Sequence, residues 1–452
     1  MYNAIIAKIF TRPLEGADNI QIGNVCGYDV IVGKDVENGS LGIFFEEGGQ
    51  LSPSYLAAND LVTRKNLTTG AREGGFFNEN GRVRAIKLRG VKSEGYFAPL
   101  SSLTYLNGGG FYTSILKEGD TFTSINGTEV CRRYETPATR RAAQGQPKTS
   151  KKNKFFAEHV DTTQFRFGKD NIPVGSIIHI TEKLHGTSGR FGYVLEEQEF
   201  KLPRGLGWLC KVAKLFGTEI PTVHDFTHLL GTRRVILKEA TRQTSYYGGD
   251  QFRTATIKDI EGRLFKGEII YYELVGYTET GAAIMSGVDL TKLKDKSLVA
   301  QYGKTMNYSY GCDPDKTGLF QDHYEAMLEE QDEKPSCALY VYRITRVTDD
   351  GHVTELSWPQ VKARCEQLGL KTVPDIDGPI VYTHTFGLEG HISGLVEGSS
   401  TLDPRHIKEG VVLRIDTPDG RTYFLKHKSF TFRLAEGMVK EDPNAVDMEE
   451  AA

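Results

Sequence analysis

Short apolar runs separated by chain-turning residues dominate the start of the chain. Asn3–Phe10, Val25–Val32, Leu41–Phe45 and Val83–Leu88 are continuous or alternating apolar segments, and Gly39-Ser40, Gly48-Gly49 and Asn78 to Gly81 lie between them. Successive side chains of a strand point to opposite faces, and Gly, Asn and Asp supply the reversals between strands, so this pattern predicts a β-rich N-terminal region. From Phe155 onward the pattern is mixed. Ser176–Glu182, Val235–Leu237, Glu268–Val275, Ala338–Thr345, Gly410–Ile415 and Thr422–Lys428 read as strands, whereas Ser357–Leu368 and about 318–330 have helical spacing. Strands that do not alternate regularly with helices point to an α+β domain rather than a doubly wound one.

Several short strands within about a hundred residues fit a small β-barrel of the oligonucleotide-binding (OB) type, and a sandwich would give the same pattern. Within this region Arg82-Val-Arg-Ala-Ile-Lys-Leu-Arg-Gly90 alternates cations with apolar residues. On a strand, Arg82, Arg84 and Ile86 would share one face and Lys87 and Arg89 the other. The segment reads either as a phosphate-binding strand or as a solvated edge. Between the two regions, Cys131–Lys154 carries eight Lys or Arg against one Glu and few large apolar residues. That composition predicts a basic linker, which could track phosphates or simply be solvated. The expected organisation is therefore 1–130, an OB-like module; 131–154, a linker; 155–435, the main domain; and 436–452, an acidic tail.

The whole chain has 452 residues, 55 Lys plus Arg against 59 Asp plus Glu, and 39% hydrophobic residues. This is globular composition, and the near-neutral balance excludes a histone-like polycation without excluding a local nucleic-acid groove. The start lacks a basic segment followed by an apolar one, no apolar run is long enough to span a bilayer, and six cysteines are scattered without a C-x-x-C pair. These features set the expectation of a cytoplasmic protein with reduced thiols and no membrane association. His224 and His228 have the i, i+4 spacing of a helical metal pair, but no third ligand accompanies them, so packed or surface histidines are expected. Lys201, Arg204, Lys211 and Lys214 interleave with Trp208 and Phe216, and read better as an amphipathic helix than as a nucleic-acid contact.

The candidate chemistry begins at Ile180-Thr-Glu-Lys-Leu-His-Gly-Thr-Ser-Gly-Arg190, which sets Lys183 at a strand-to-turn junction followed by glycines that let backbone N–H groups approach a phosphate. A lysine acts as a nucleophile only as the free amine. Downstream, Glu273 lies in the apolar run Glu268–Gly276. Tyr342 lies in the aromatic run Ala338–Ile344, and Glu409 heads a β-branched run. Lys426 and Lys428, two apart, share one face of a strand. Ionisable groups in core-like strands are costly unless they are paired or bind something.

This ordered set resembles the covalent lysyl-nucleotidyltransferase superfamily of polynucleotide ligases and capping enzymes, and among them the ATP-dependent RNA ligases. EKLHG is similar to motif I in its His-containing RNA ligase form, GTRRVIL to motif Ia, YYELVG to motif III, LYVYRI to motif IIIa, KEGVVLR to motif IV and FLKHKS to motif V. The resemblance spans most of 155–430. DNA ligases and capping enzymes carry their OB domain after motif V. Here 24 residues follow Lys428, and VRAIKLRGVKSEGYF with the strands before it resembles the N-terminal OB module of one RNA ligase branch.

The resemblance implies an enzyme that joins RNA 3′-OH and 5′-phosphate ends through lysyl-AMP and RNA-adenylate, using ATP and Mg²⁺ (or Mn²⁺), in end or nick repair. By it, Lys183 is the nucleophile. Thr181 and Glu182 contact the adenine or its pocket, and Arg233 reaches the ribose or an acceptor phosphate. Glu273 contacts the ribose and Tyr342 stacks on the base. Glu409 holds a hydrated metal ion, and Lys426 and Lys428 neutralise the α-phosphate. His185 replaces an Asp of the DNA-ligase motif and orients phosphate. Ser188 stands where relatives have Asn, and Arg190 is the candidate to take over that contact, alongside Arg84, Lys87 and Arg89 as RNA ligands. A monomer is expected, working with an end-healing kinase-phosphatase, and a viral source would suit a compact stand-alone ligase. The alternatives are a capping-type guanylyltransferase and a non-catalytic RNA-binding protein with a decayed ligase core. Two intervals, 201–230 and 290–333, read as insertions.

Overall fold

The computed structural model describes residues 2–65, 72–109, 111–137, 139–140, 153–160, 162–199, 222–237, 251–293, 295–316 and 335–439. The expected helix over 318–330, the basic–aromatic stretch beginning at Lys201, most of the linker and the acidic stretch 440–452 lie outside these. The fold is α+β, and the described residues divide into two compact units: Met1–Pro137 with Phe430–Val439, and Ala138–Ser429.

In the first unit an antiparallel sheet runs in the order Gly95–Pro99, Leu41–Glu46, Ala4–Lys8, Thr121–Phe122, and Phe10–Pro13, Ile20–Val25 and Tyr28–Gly33 form a second. Ile6, Ile43, Phe45, Leu51, Tyr55 and Val130 fill the core. The apolar run Val25–Val32, which reads as one strand, is cut in two by a hairpin turn. Cys26 and Gly27 both take positive φ (50° and 77°), the turn whose twist matches antiparallel strands. The run Val83–Leu88 is also shorter than its sequence predicts: only Ile86–Leu88 is a strand, paired with Val91–Ser93 across the left-handed residues Arg89 and Gly90 (φ 51° and 82°).

Two expected boundaries move. Cys131–Arg133, read as the start of the linker, pairs with Gly49–Leu51 and so completes the first unit. The helix Phe430–Val439, read as the end of the main domain, also belongs to the first unit. There Arg433 is paired with the buried Glu94, and Arg82 donates to the Gly437 carbonyl at 3.0 Å.

The second unit is built on two sheets. One orders Thr163–Gln164, Thr422–Lys428, Gly410–Asp416, Ile177–Lys183 and Asp375–Val381; the other orders Thr222–Thr232, Thr187–Glu199, Glu268–Gly276, Cys337–Val347 and Val353–Glu355, with Lys371–Thr372 also paired to Cys337–Val347. Ile178, Ile180, Leu413, Ile415 and Leu425 form the core against the first sheet; Phe156, Val194, Ile269 and Tyr271 form one against the second. The helix Trp358–Leu368 starts at a capping box of Ser357 and Gln360 and stops at Gly369 in the left-handed conformation, the two signals that delimit a helix most sharply.

Two local expectations change. Val235–Leu237 follows a bend at Arg233-Arg234 and carries only an isolated bridge, from Ile236 to Gly231, not a strand. His224 and His228 lie on the Thr222–Thr232 strand, not a helix; His228 stacks on Tyr193 at 4.5 Å and accepts from the Gly262 N–H at 3.2 Å. Among the described residues, no helix is long and apolar enough to cross a membrane, and no cysteine is in a disulfide.

Candidate active site

Strand register brings the charged motif residues together. Lys183 ends its strand opposite Gly410, and Gly410 lies opposite Lys428. Two residues back, Thr181 faces Val412 and Val412 faces Lys426. Residues two apart on a strand share a face, so Thr181, Lys183, Val412, Lys426 and Lys428 all point the same way. Glu409, just ahead of Gly410, reaches into this row. Its Oε1 is 2.7 Å from Lys183 Nζ and 3.0 Å from Lys428 Nζ, and its carboxylate is fully buried. Gly410 is required here: at φ 151° a Cβ would lie 2.1 Å from the His427 carbonyl oxygen. The Ser429 N–H donates to the Glu409 carbonyl at 2.8 Å, fixing the turn that delivers the carboxylate.

A cavity opens beside this row. Thr181, Lys183, Arg233, Glu273 and Lys426 supply its polar wall; Tyr342, Trp358, Val373, Val412 and Phe424 supply the apolar one, and His159 lies among them. Arg233 is the member of the Arg233-Arg234 pair that lines it, and Arg234 is exposed. Tyr342 reaches the cavity through a bulge. Tyr271 pairs with Arg343 but Tyr272 pairs with Val341, so Tyr342 is an extra residue on its strand, the kind of insertion that re-aims a side chain. Its hydroxyl is 2.9 Å from Ser188 Oγ. Burial first, and the charge of Glu273 second, push its pKa up, so the phenol is neutral. Glu182 also borders the cavity, but its carboxylate is anchored by Thr401, which donates through N–H at 2.8 Å and through Oγ1 at 2.5 Å. Glu182 therefore shapes the pocket wall from a fixed position.

Behind Lys183 the turn His185-Gly186 is held by residues that the sequence did not single out. Gly186 packs so closely on the neighbouring strand that a Cβ would lie 2.2 Å from the Leu274 carbonyl. The His185 N–H donates to Tyr310 Oη at 2.6 Å, the His185 ring packs edge-on against Tyr308 at 4.8 Å, and its Nδ1 is 3.7 Å from Glu409 Oε2. Tyr310 in turn donates its N–H to His406 Nε2 at 3.3 Å, while Asp403 accepts from Ser309 Oγ at 2.6 Å and from Gly311 N–H at 3.0 Å. Part of the expected 290–333 insertion thus braces the motif I turn. The positive φ of Tyr310 (49°) marks the tight bend involved. A buried Tyr-x-Tyr and a His two residues before Lys408 are too common to signal this.

Four expected RNA ligands fare differently. Arg190 is only 2% exposed and lies 4.5 Å from the centroid of the Phe156 ring, so it is part of the interior and cannot meet RNA at the surface; burial depresses its pKa. Arg84 is half-buried and not on a strand, and burial beside Arg82 depresses its pKa. Arg82, the other expected surface cation, packs over the Tyr134 ring at 4.7 Å. Lys87 and Arg89 are exposed. Among the described residues no group of three or more His, Cys, Asp or Glu could hold a metal ion. Glu409 is the carboxylate paired with Lys183 and Lys428, and one carboxylate suits an ion that keeps most of its waters and takes its other oxygens from phosphate.

Comparison with known proteins points to one family. The model of the family described as RNA ligase matches residues 176–428, the span that carries every residue of the lysine row. No curated protein matches. Among solved structures, an RNA ligase of Naegleria gruberi with pyrophosphate aligns at TM-score 0.56 and 17% identity, over 95% of this chain and 97% of that one. Its lysine-to-methionine variant with AMP and Mn aligns at TM-score 0.55 and 17% identity, over 95% and 97%. A lysine-to-alanine variant with ATP and Mn aligns at TM-score 0.55 and 16% identity, over 95% and 98%. At these identities the likeness is one of fold.

Proposed function

The chain belongs to the RNA ligase family, and we propose that it joins RNA 3′-OH to 5′-phosphate ends with ATP, through AMP carried first on Lys183 and then on the RNA. The observation that carries this reading is the single carboxylate, Glu409, shared by Lys183 and Lys428 within 3.0 Å. In the first step the Lys183 amine attacks the α-phosphorus; a P–N bond forms, the bond to the bridging oxygen breaks, and pyrophosphate leaves. Attack requires the free amine. When Lys183 gives up its proton, Lys428 keeps the buried carboxylate paired, so no uncompensated charge is left in the interior. Lys426, two residues away on the same face, meets the phosphate oxygens as charge develops there, and such preplaced cations are the main lever in phosphoryl transfer.

Arg233 and Glu273 hold the ribose and phosphate edge of the nucleotide, Tyr342 stacks on the base, and Glu182 with Thr181 bounds the pocket. His185 orients phosphate from the turn after the nucleophile. Glu409 would hold a hydrated divalent cation, Mg²⁺ or the Mn²⁺ of the Naegleria structures. When bound, that ion neutralises charge on the phosphates.

The first unit acts as an OB-like RNA-binding module, with Lys87 and Arg89 on the exposed hairpin tip contacting phosphates. The direct test is sealing of a labelled nicked RNA duplex. Wild type seals it. Lys87→Ala/Arg89→Ala forms the covalent enzyme intermediate normally but loses about tenfold in sealing at moderate salt, because each lost phosphate contact weakens binding. Sealing that does not change would remove the hairpin from the RNA site.

A further inference from the structure

His159, upstream of every motif, faces the aromatic end of the cavity. Its ring lies edge-on to Tyr342 at 5.0 Å and within 5.7 Å of the Phe424 ring. Its Nδ1 is 3.4 Å from Arg343 Nη1. A guanidinium only donates, so Nδ1 must accept, and the neutral ring then carries its proton on Nε2. Arg343 is itself immobilised. It is 2% exposed, donates from Nε to both oxygens of Glu355 at 2.9 and 3.1 Å, and lies over the Tyr271 ring at 4.5 Å. Burial, followed by the charges of Arg343, Arg233, Lys426 and Lys183, drives the histidine's pKa well below its ordinary value. The imidazole is uncharged in a pocket that also holds Lys183, Arg233 and Lys426.

We propose that His159 is a nucleotide-binding residue that presents a fixed Nε2–H donor to an acceptor on the base, and so favours adenine over guanine. The lysines and Arg233 serve the phosphate end, while His159 sits with Tyr342, Phe424 and the buried Trp358, the surfaces a flat base would pack on. Adenine offers an acceptor at N1 where guanine carries N–H, so a fixed donor at that edge discriminates between them. Glu355 and Arg343 are positioning residues, acting through the tautomer they impose.

The assignment rests on the nucleotidyl-transfer reading above, and the experiment separates the two. Covalent labelling is measured against concentration for α-labelled ATP and GTP with wild type, His159→Gln and His159→Phe. The expected result for His159→Phe is a KM for ATP raised about tenfold with kcat little changed, the scale of one hydrogen bond, and a narrowed ATP-to-GTP preference. His159→Gln, which keeps a donor, recovers most of both. The ¹⁵N shifts of His159 in wild type should report the Nε2–H tautomer. Labelling of wild type together with an unchanged KM and preference in His159→Phe would overturn the assignment alone, as would an Nδ1–H tautomer. No label on wild type from either triphosphate would overturn the nucleotidyl-transfer reading itself.

Discussion

At the lysine end of the cavity three adjacent strands, with the residue just ahead of one of them, carry Lys183, Lys426, Lys428 and Glu409. At the aromatic end, His159, Tyr342, Trp358 and Phe424 come from four separated stretches of chain. The lysine end follows from register alone: once Lys183, Gly410 and Lys428 are opposite one another, the positions of Lys426 and Glu409 follow. The aromatic end depends on a bulge, a helix start and a segment that precedes the first strand of its sheet. The first arrangement is rigid because hydrogen-bonded neighbours fix it. The second is assembled from separate segments, and this is where selectivity can be set without disturbing the chemistry.

The sharpest way to break the comparison is at Glu409. Glu409→Gln keeps the volume but removes the charge that Lys183 and Lys428 share. Covalent labelling with ATP should fall by about a hundred- to a thousandfold, the range seen when a preorganised charge is removed, while Tyr342 and the aromatic end remain competent to bind nucleotide. Nearly unchanged labelling would mean that the shared carboxylate is incidental.

A smaller effect is expected behind the nucleophile. Tyr310→Phe keeps the ring but removes the acceptor for the buried His185 N–H, and an unsatisfied buried donor costs about 1–3 kcal/mol. The rate of label formation should drop about tenfold or somewhat more, with the KM for ATP held. A change in KM alone would place Tyr310 with the binding wall instead.

How much of this was legible in the sequence follows the same division. Lys426 and Lys428 could be read because a strand's period of two puts them on one face, and Lys183 and Glu409 could be named from the motifs they resemble. Arg233 could be read as one of two candidates, and only the turn after Thr232 decided between them. Tyr342 could be named but not aimed, since the bulge beside Tyr272 leaves no mark in an evenly apolar strand. Arg190 was misread because Phe156, 34 residues earlier, covers it. Such a long-range contact has no local signature. Val25–Val32 was misread as one strand because Cys26, which holds φ 50°, is not a residue type that announces a turn. The Phe430–Val439 helix was assigned to the wrong unit because chain proximity to Lys428 says nothing about which core receives it.

The smallest predicted effect is acid sensitivity of the brace. His406 is fully buried; its Nδ1 is 3.0 Å from the Ile407 carbonyl, and its Nε2 accepts from Tyr310. Burial lowers its pKa, outweighing the opposing pull of the Ile407 carbonyl and of Asp403 and Glu182. The unfolded chain protonates this histidine near its ordinary value and the folded chain does so only lower. Stability is therefore fully present above about pH 6.5 and falls below it, by about 1.4 kcal/mol per pH unit for one such group. His159, lowered in the same direction, adds to the slope. Thermal melts between pH 7 and pH 5 should show Tm falling over this window; a Tm that is flat or rises would contradict the neutral assignment of these rings.

The account stands on Lys183 as the residue that carries the nucleotide. The most direct measurement is to incubate purified protein with ATP and Mg²⁺, quench it, and map the adduct by peptide mass spectrometry, with Lys183→Ala alongside. The prediction is one AMP per chain, on Lys183, absent from Lys183→Ala. An AMP adduct found on Lys426, Lys428 or any other residue, or retained in Lys183→Ala, would contradict it.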